Sequence, residues 1–147
     1  METLSRGIKY RHWPVENPKA CVLLVHGLAE HSGRYEHVAA RFNARGVAIV
    51  GPDHIGHGAS PGLRCHLDRF DEYIAPLTSL RAYIADWYPE TPVFLLGHSM
   101  GGLIAVHVPA SSLESMRATG SRGRGEAPEA PDSELCSRAS PGVSEKF

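Results

Sequence analysis

The segment Gly97-His98-Ser99-Met100-Gly101 constrains the fold of this chain more than any other. It lies between an apolar run of strand character, residues 92–96, and a run of helical character, residues 100–106. A serine on so tight a strand-to-helix turn has a strained backbone and holds its Oγ clear of the main chain. The bare Gly-x-Ser-x-Gly pattern is common, and a glycine-rich helix start without chemistry is the alternative. In this context the pattern predicts that Ser99 is a nucleophile.

The two glycines of the pattern fit the same interpretation. At Gly97 and Gly101 the strand and the helix should approach too closely to leave room for a Cβ atom. The helix that begins after Ser99 presents unpaired N–H groups and the positive end of its dipole to this turn. Both features would stabilise a negatively charged oxygen beside Ser99.

A second apolar run, residues 20–25, predicts a parallel strand that is buried on both faces. It ends in a His-Gly turn, which taken alone marks only the end of a strand. Combined with the serine turn, it is where a backbone N–H can complete an oxyanion hole. We therefore predict the N–H groups of Leu28 and Met100 as the two oxyanion donors. The residues expected to support the loop and the turn are His26, Gly27, Gly97, His98 and Gly101.

Three sequence blocks, residues 26–35, 52–60 and 97–102, together resemble the monoacylglycerol lipase and lysophospholipase group of α/β-hydrolases. That group belongs to the wider serine aminopeptidase S33 class. The blocks occur in the family's order and at similar spacing, and the resemblance runs from about Ile8 to His107. It implies a mainly parallel sheet with helices on both faces, and ester bonds of monoacylglycerols or lysophospholipids as the substrate. It implies no cofactor.

The spacing of the remaining apolar residues fits this α/β alternation. It predicts a half-exposed strand over residues 8–12, a helix over 35–42 that ends at Gly46, a strand over 47–50 and a helix over 74–87. Strands that alternate with helices indicate a parallel sheet.

Composition narrows the function classes. The chain has 147 residues and a formal net charge of −1, which gives no indication of nucleic-acid binding. Its three cysteines form no C-x-x-C pair, which favours free thiols in a reducing compartment. The start of the chain has no signal-peptide pattern, and no stretch is long enough to span a bilayer. We expect a cytoplasmic protein whose contact with membranes is peripheral.

Four histidines in the first two blocks invite a metal-site hypothesis, which their spacing does not support. His26, His31, His54 and His57 match no zinc pattern. We predict instead loop histidines that hydrogen-bond to the backbone, and no metal. Asp53, just past a strand end, is interpreted as a structural residue.

The pattern stops at Pro109. Residues 109–147 are rich in Ser, Gly, Pro, Arg, Glu and Ala, with few large apolar residues. Such a segment cannot bury enough surface to offset its ordering entropy, so we predict a disordered tail. Residues 1–108 are expected to form the N-terminal part of an α/β-hydrolase domain. The resemblance covers about half of a full domain and implies that the family chain continues through more strands, a lid and two catalytic residues.

No triad acid or histidine is identifiable in this chain. The order in this fold is Ser, then acid, then His. After Ser99 the only histidine is His107, about two helical turns further on, and the only later aspartate is Asp132, in the predicted tail. Two hypotheses therefore stay open: a serine ester hydrolase by lineage, and a catalytically incompetent truncated product. Chain length, head group and esterase versus peptidase preference also stay open.

The resemblance also predicts a defect of the sheet. The strand before Ser99 is central in the family, and here residues 93–96 would be left as an apolar, uncharged edge. Such an edge templates strand pairing, which predicts self-association.

Overall fold

The computed structural model describes residues 1–108, and the predicted tail of residues 109–147 lies outside them. The described residues form an α/β arrangement in which two 3-10 turns, Ser5–Gly7 and Ser32–Tyr35, join the regular elements. The strands are β1 (Glu2–Thr3), β2 (Lys9–Trp13), β3 (Ala20–Val25), β4 (Val47–Pro52) and β5 (Val93–Gly97). The helices are α1 (Glu36–Asn43), α2 (Asp71–Trp87) and α3 (Met100–Val106).

The strands form one mixed sheet in the order β1-β2-β4-β3-β5. β3 pairs in parallel with both β4 and β5, which confirms the predicted parallel core. β2 joins β4 in the antiparallel sense, and the short β1 continues this antiparallel margin. Every residue of β3 and β4 is buried, as their unbroken apolar runs predict.

Helices cover both faces of the sheet, as expected. Alternate side chains of a strand point to opposite faces. Cys21, Leu23 and Val25 of β3 pack in one core cluster with α2 and with Ile104 of α3. Val22 and Leu24 pack in a second cluster with Ala39 of α1. The consequence is a sheet whose parallel strands all end at the same edge, where the loops after β3, β4 and β5 meet.

The helix predicted over residues 35–42 is α1, which directly follows the 3-10 turn Ser32–Tyr35. Gly46 follows this helix with a φ of +75°, and nothing lies within 4 Å of the position a Cβ would take. Glycine is therefore favoured there by backbone conformation and not by space.

β5 is the edge strand of the described sheet, as predicted. Its residues are only partly buried or exposed, in contrast to the fully buried β3 and β4. Phe94 on β5 is 37% exposed, and Leu103 and Val106 on the following helix are 54% and 78% exposed. The edge strand β5 and the helix α3 thus both expose apolar side chains to solvent.

We expect the purified 147-residue chain to self-associate through β5, because an apolar edge that no strand of residues 1–108 covers templates strand pairing. On size-exclusion chromatography it should elute as oligomers or aggregates. Phe94→Lys should shift the population towards the monomer. Leu63→Lys makes the same change at a loop residue that is 73% exposed, and should leave the elution unchanged. A monodisperse monomer with a sharp thermal transition would contradict the prediction.

Candidate active site

Ser99 occupies the turn that joins β5 to α3, which confirms the predicted strand-to-helix position. Its φ is +53° and its ψ is −120°. Few residues with a Cβ adopt a positive φ, and such strain concentrates at functional sites. The residue is exposed, so it is open to a ligand from solvent.

The glycines on either side of Ser99 make the turn sterically achievable. A Cβ on Gly101 would lie 1.9 Å from the carbonyl oxygen of Val25, and one on Gly97 would lie 2.6 Å from that of Gly101. Both distances are shorter than any real contact. The start of α3 therefore rests directly on the backbone of β3, as the pattern predicts.

The loop after β3 lies beside the Ser99 turn. The parallel register pairs Val25 with Gly97, and the N–H of His98 donates to the Val25 carbonyl at 3.1 Å. One step further, a Cβ on Gly27 would lie 3.2 Å from the carbonyl oxygen of His98. The two segments predicted to form the oxyanion hole thus meet at the carboxyl ends of neighbouring strands.

Two backbone N–H groups at this junction have no acceptor within residues 1–108. Leu28 lies in the loop after β3, is 57% exposed, and its N–H makes no hydrogen bond to a described residue. Met100 is the first residue of α3, where the N–H has no helical acceptor. An oxyanion hole requires unpaired donors of this kind. That both point at the oxygen of a bound substrate stays a prediction.

Glu30 belongs to the same loop, and no sequence motif predicts a role for it. Its Oε1 accepts hydrogen bonds from the Gly27 N–H at 2.5 Å and from the Tyr35 hydroxyl at 2.7 Å. The same oxygen lies 3.0 Å from Nδ1 of His98. Burial alone would raise the pKa of Glu30, but these hydrogen bonds hold it below the ordinary value. The carboxylate therefore stays ionised at neutral pH.

Three of the four block histidines form a buried cluster behind the site. His26 and His54 are fully buried, with ring centroids 4.0 Å apart, and His57 lies 5.4 Å from His26. Nε2 of His26 accepts the N–H of His54 at 2.9 Å, so the proton of His26 sits on Nδ1, which donates to the Gly27 carbonyl. His54 and His57 each bond to a backbone carbonyl as well. The prediction that loop histidines bind backbone is confirmed for these three.

The cluster has electrostatic consequences. Burial lowers the pKa of His54 to about 3 and also lowers the pKa of His26. Both rings are therefore neutral at physiological pH. Nδ1 of His54 and Nε2 of His57 have no hydrogen-bond partner among the described residues. Within those residues no group of three or more His, Cys, Asp or Glu side chains is arranged to hold a metal ion.

Asp53 has the structural role predicted for it. Its carboxylate is buried and accepts hydrogen bonds from the Ser32 N–H and hydroxyl and from the Ala59 N–H. Burial would raise the pKa of Asp53, but these hydrogen bonds, with the charge of Arg11, hold it below the ordinary value. Asp53 thereby ties the end of β4 to the loops on either side of it.

His107 lies away from Ser99, at the end of α3. Its Nδ1 bonds to the Leu103 carbonyl at 2.8 Å, and its ring packs against Phe70 with centroids 5.1 Å apart. Within residues 1–108 the Ser99 hydroxyl makes no hydrogen bond to an imidazole or a carboxylate. That this part of the chain offers Ser99 no base stays a prediction.

The cysteines and the helices can be compared with two further sequence predictions, those of free thiols and of no membrane-spanning segment. Cys21 and Cys65 are free thiols, as expected, and burial raises the pKa of Cys21 to about 12. No helix within the described part of the chain combines the length and the apolar character needed to cross a bilayer.

Comparison with known proteins identifies the relatives of this arrangement. The family model described as serine aminopeptidase, S33 matches residues 16–118, which is more than half of the chain. A monoacylglycerol lipase of Mycolicibacterium smegmatis is 46% identical over 96 residues, covering 65% of this chain and 34% of the relative. The monoglyceride lipase of Homo sapiens is 41% identical over 97 residues, covering 65% and 32% respectively.

A solved structure supports the same assignment. The monoacylglycerol lipase of Paleococcus ferrophilus superposes with a TM-score of 0.58 and 35% identity, covering 69% of this chain and 37% of that one. The chain therefore spans about a third of the length of the relatives it matches.

Proposed function

Because this chain belongs to the serine aminopeptidase S33 family of α/β-hydrolases, we propose that it carries the nucleophile and oxyanion hole of a carboxylic ester hydrolase. The substrates are small lipid esters such as monoacylglycerols or lysophospholipids. Ser99 is the nucleophile, and the N–H groups of Leu28 and Met100 are the oxyanion donors. Residues 1–108 are the N-terminal part of the hydrolase domain, and residues 109–147 are a separate segment.

One observation carries the proposal: an exposed serine at a φ of +53° stands where an unpaired N–H from each of two neighbouring strand ends is available. Oγ of Ser99 would attack the ester carbonyl carbon, and the carbonyl oxygen would take up the negative charge. The N–H groups of Leu28 and Met100 would stabilise that charge. The alcohol then leaves with a proton, and water hydrolyses the acyl-serine.

The chemistry needs a base that accepts the proton of Ser99, because a free serine hydroxyl is a weak nucleophile. No described side chain makes a hydrogen bond to the Ser99 hydroxyl. This observation favours a second candidate function for the chain by itself, that of a catalytically incompetent product. In the first hypothesis an acid and a histidine from outside the chain complete the triad.

We further propose that the protein is cytoplasmic and contacts lipid membranes only peripherally. Leu28 is apolar and 57% exposed beside Ser99. An exposed apolar side chain at this place favours contact with the acyl chain of a lipid ester.

We expect the purified 147-residue chain to hydrolyse short-chain esters little above background. An oxyanion hole without a triad leaves only about 10³-fold over water. The measurement is the release of p-nitrophenol from its acetate and butyrate esters, with Ser99→Ala as the control. Robust turnover that Ser99→Ala abolishes would contradict the prediction and would show that a histidine of this chain reaches Ser99 after all.

A fluorophosphonate probe, which attaches covalently to activated serines, tests the proposed nucleophile directly. We expect slow labelling of the wild-type chain at Ser99, and none in Ser99→Ala. Labelling that persists in Ser99→Ala would overturn the assignment of the nucleophile. Absence of labelling in both forms would favour the incompetent product.

A further inference from the structure

A single carboxylate oxygen receives donors from both halves of the candidate active site. Oε1 of Glu30 accepts from the Gly27 N–H at 2.5 Å, lies 3.0 Å from Nδ1 of His98 and accepts from the Tyr35 hydroxyl at 2.7 Å. A carboxylate can only accept, so the proton of this His98 contact is on Nδ1. Hydrogen bonds to an ionised acceptor are shorter and about twice as strong as neutral ones.

The donors belong to the two segments that must stay in register. Gly27 directly precedes Leu28, and His98 stands two residues before Met100. We infer that Glu30 is a positioning residue that holds the Leu28 and Met100 N–H groups at a fixed separation. This inference rests on the proposed function, because it assigns Glu30 to the same oxyanion hole.

The backbone around Glu30 fits this role. Ala29 has a φ of +57°, an unusual conformation that turns the chain sharply between Leu28 and Glu30. A Cβ on Gly27 would lie 2.9 Å from Oε1 of Glu30, so the carboxylate would have to shift if residue 27 carried a side chain. The turn at Ala29 and the lack of a side chain on Gly27 together allow the Glu30 carboxylate to reach the Gly27 N–H.

Competing partners for the carboxylate are weak. The side chain of Glu30 is 10% exposed, and the guanidinium of Arg34 lies 3.9 Å away while being 63% exposed itself. An exposed ion pair of this kind contributes little. The contacts with the Gly27 N–H at 2.5 Å and with Nδ1 of the exposed His98 at 3.0 Å are shorter, and they determine where the carboxylate sits.

The test compares the wild-type 147-residue chain with Glu30→Gln, Glu30→Ala and Glu36→Gln. Glu36 is the matched control, because its carboxylate accepts a hydrogen bond from Trp13 at 2.9 Å, outside the site. The first measurement is hydrogen exchange of the Gly27 amide, by mass spectrometry with fragmentation to single residues. The second is the affinity for butylboronic acid, whose boron bonds to a serine oxygen while the serine proton passes to solvent, with Ser99→Ala as the reference.

We expect Glu30→Ala to accelerate exchange at Gly27 and to weaken boronate binding on the order of 10²-fold, the usual loss for one oxyanion donor. Glu30→Gln keeps the shape of the side chain and should lose about tenfold, since a neutral hydrogen bond replaces a charged one. Glu36→Gln should match the wild type in both measurements. If Glu30→Ala does not fold, Glu30→Gln carries the same comparison.

The two proposals fail in different ways. Unchanged exchange at Gly27, or unchanged boronate affinity, in the Glu30 variants would overturn the positioning role and leave Ser99 as the nucleophile. A loss of affinity that merely follows a lowered unfolding temperature, with faster exchange throughout β3 and α1, would also overturn it. Boronate binding that Ser99→Ala does not weaken would overturn the proposed function, while the exchange data would still decide whether Glu30 holds the loop.

Discussion

Gly101→Ala is expected to leave this chain without a cooperatively folded state. The new Cβ would lie 1.9 Å from the Val25 carbonyl oxygen and 2.6 Å from that of His26. Both are backbone atoms at the end of β3, so neither can move aside as a flexible side chain can. Separating α3 from β3 would also withdraw Ile104, which is fully buried, from the core. The cost should exceed about 4 kcal/mol, a large part of the roughly 5–15 kcal/mol that stabilises a domain.

Gly102→Ala provides the matched control on the same helix. A Cβ at Gly102 would lie 3.8 Å from the Gly97 carbonyl oxygen, an ordinary contact. Alanine is the better helix former by about 1 kcal/mol, so this variant should be as stable as the wild type or slightly more so. Urea denaturation followed by circular dichroism measures both variants. A Gly101→Ala transition at the wild-type midpoint would contradict the close packing of α3 on β3.

The elements around Ser99 are those that local sequence predicts best. An unbroken apolar run is typical of a strand buried on both faces, and β3 and β4 are buried at every position. The glycines that flank Ser99 report a close approach of backbones, and the distances at Gly101 bear this out. These predictions succeed because their physical cause lies within the few residues that carry the pattern.

Contacts between distant segments could not be predicted in the same way. Glu30 and His98 are 68 residues apart, and nothing in the spacing of either motif indicates that one carboxylate serves both. The ring contact between His26 and His54, which are 28 residues apart, likewise depends on how β3 and β4 end side by side. The short β1 and its antiparallel pairing with β2 carry no pattern of their own. Such features arise from tertiary packing, which overrides weak local preferences.

Acidification is expected to destabilise the chain well above the pH at which carboxylates protonate. The folded state keeps His54 neutral, because burial lowers its pKa to about 3, whereas an unfolded histidine has a pKa of about 6.5. Below pH 6.5 the unfolded state therefore binds more protons, and the free energy of unfolding falls as the pH falls. The loss should reach on the order of 3 kcal/mol by pH 4. His26 adds to it, since its pKa is lowered by burial in the same cluster.

Urea denaturation at pH 7, 6, 5 and 4, followed by tryptophan fluorescence, measures this dependence. His54→Phe keeps a ring of similar size and removes the group that takes up the proton, so the stability of this variant should change less between pH 7 and pH 4. It also removes a buried Nδ1 that has no partner among the described residues. His66→Gln changes an exposed histidine and should retain the wild-type dependence. Asp53 stabilises the folded state while it is ionised. Because its pKa is held below the ordinary value, this stabilisation is lost only at lower pH, when the carboxylate protonates and its hydrogen bonds break. A wild-type stability that stays constant from pH 7 to pH 4 would mean that the buried histidines accept protons without cost, which a desolvated cluster cannot do.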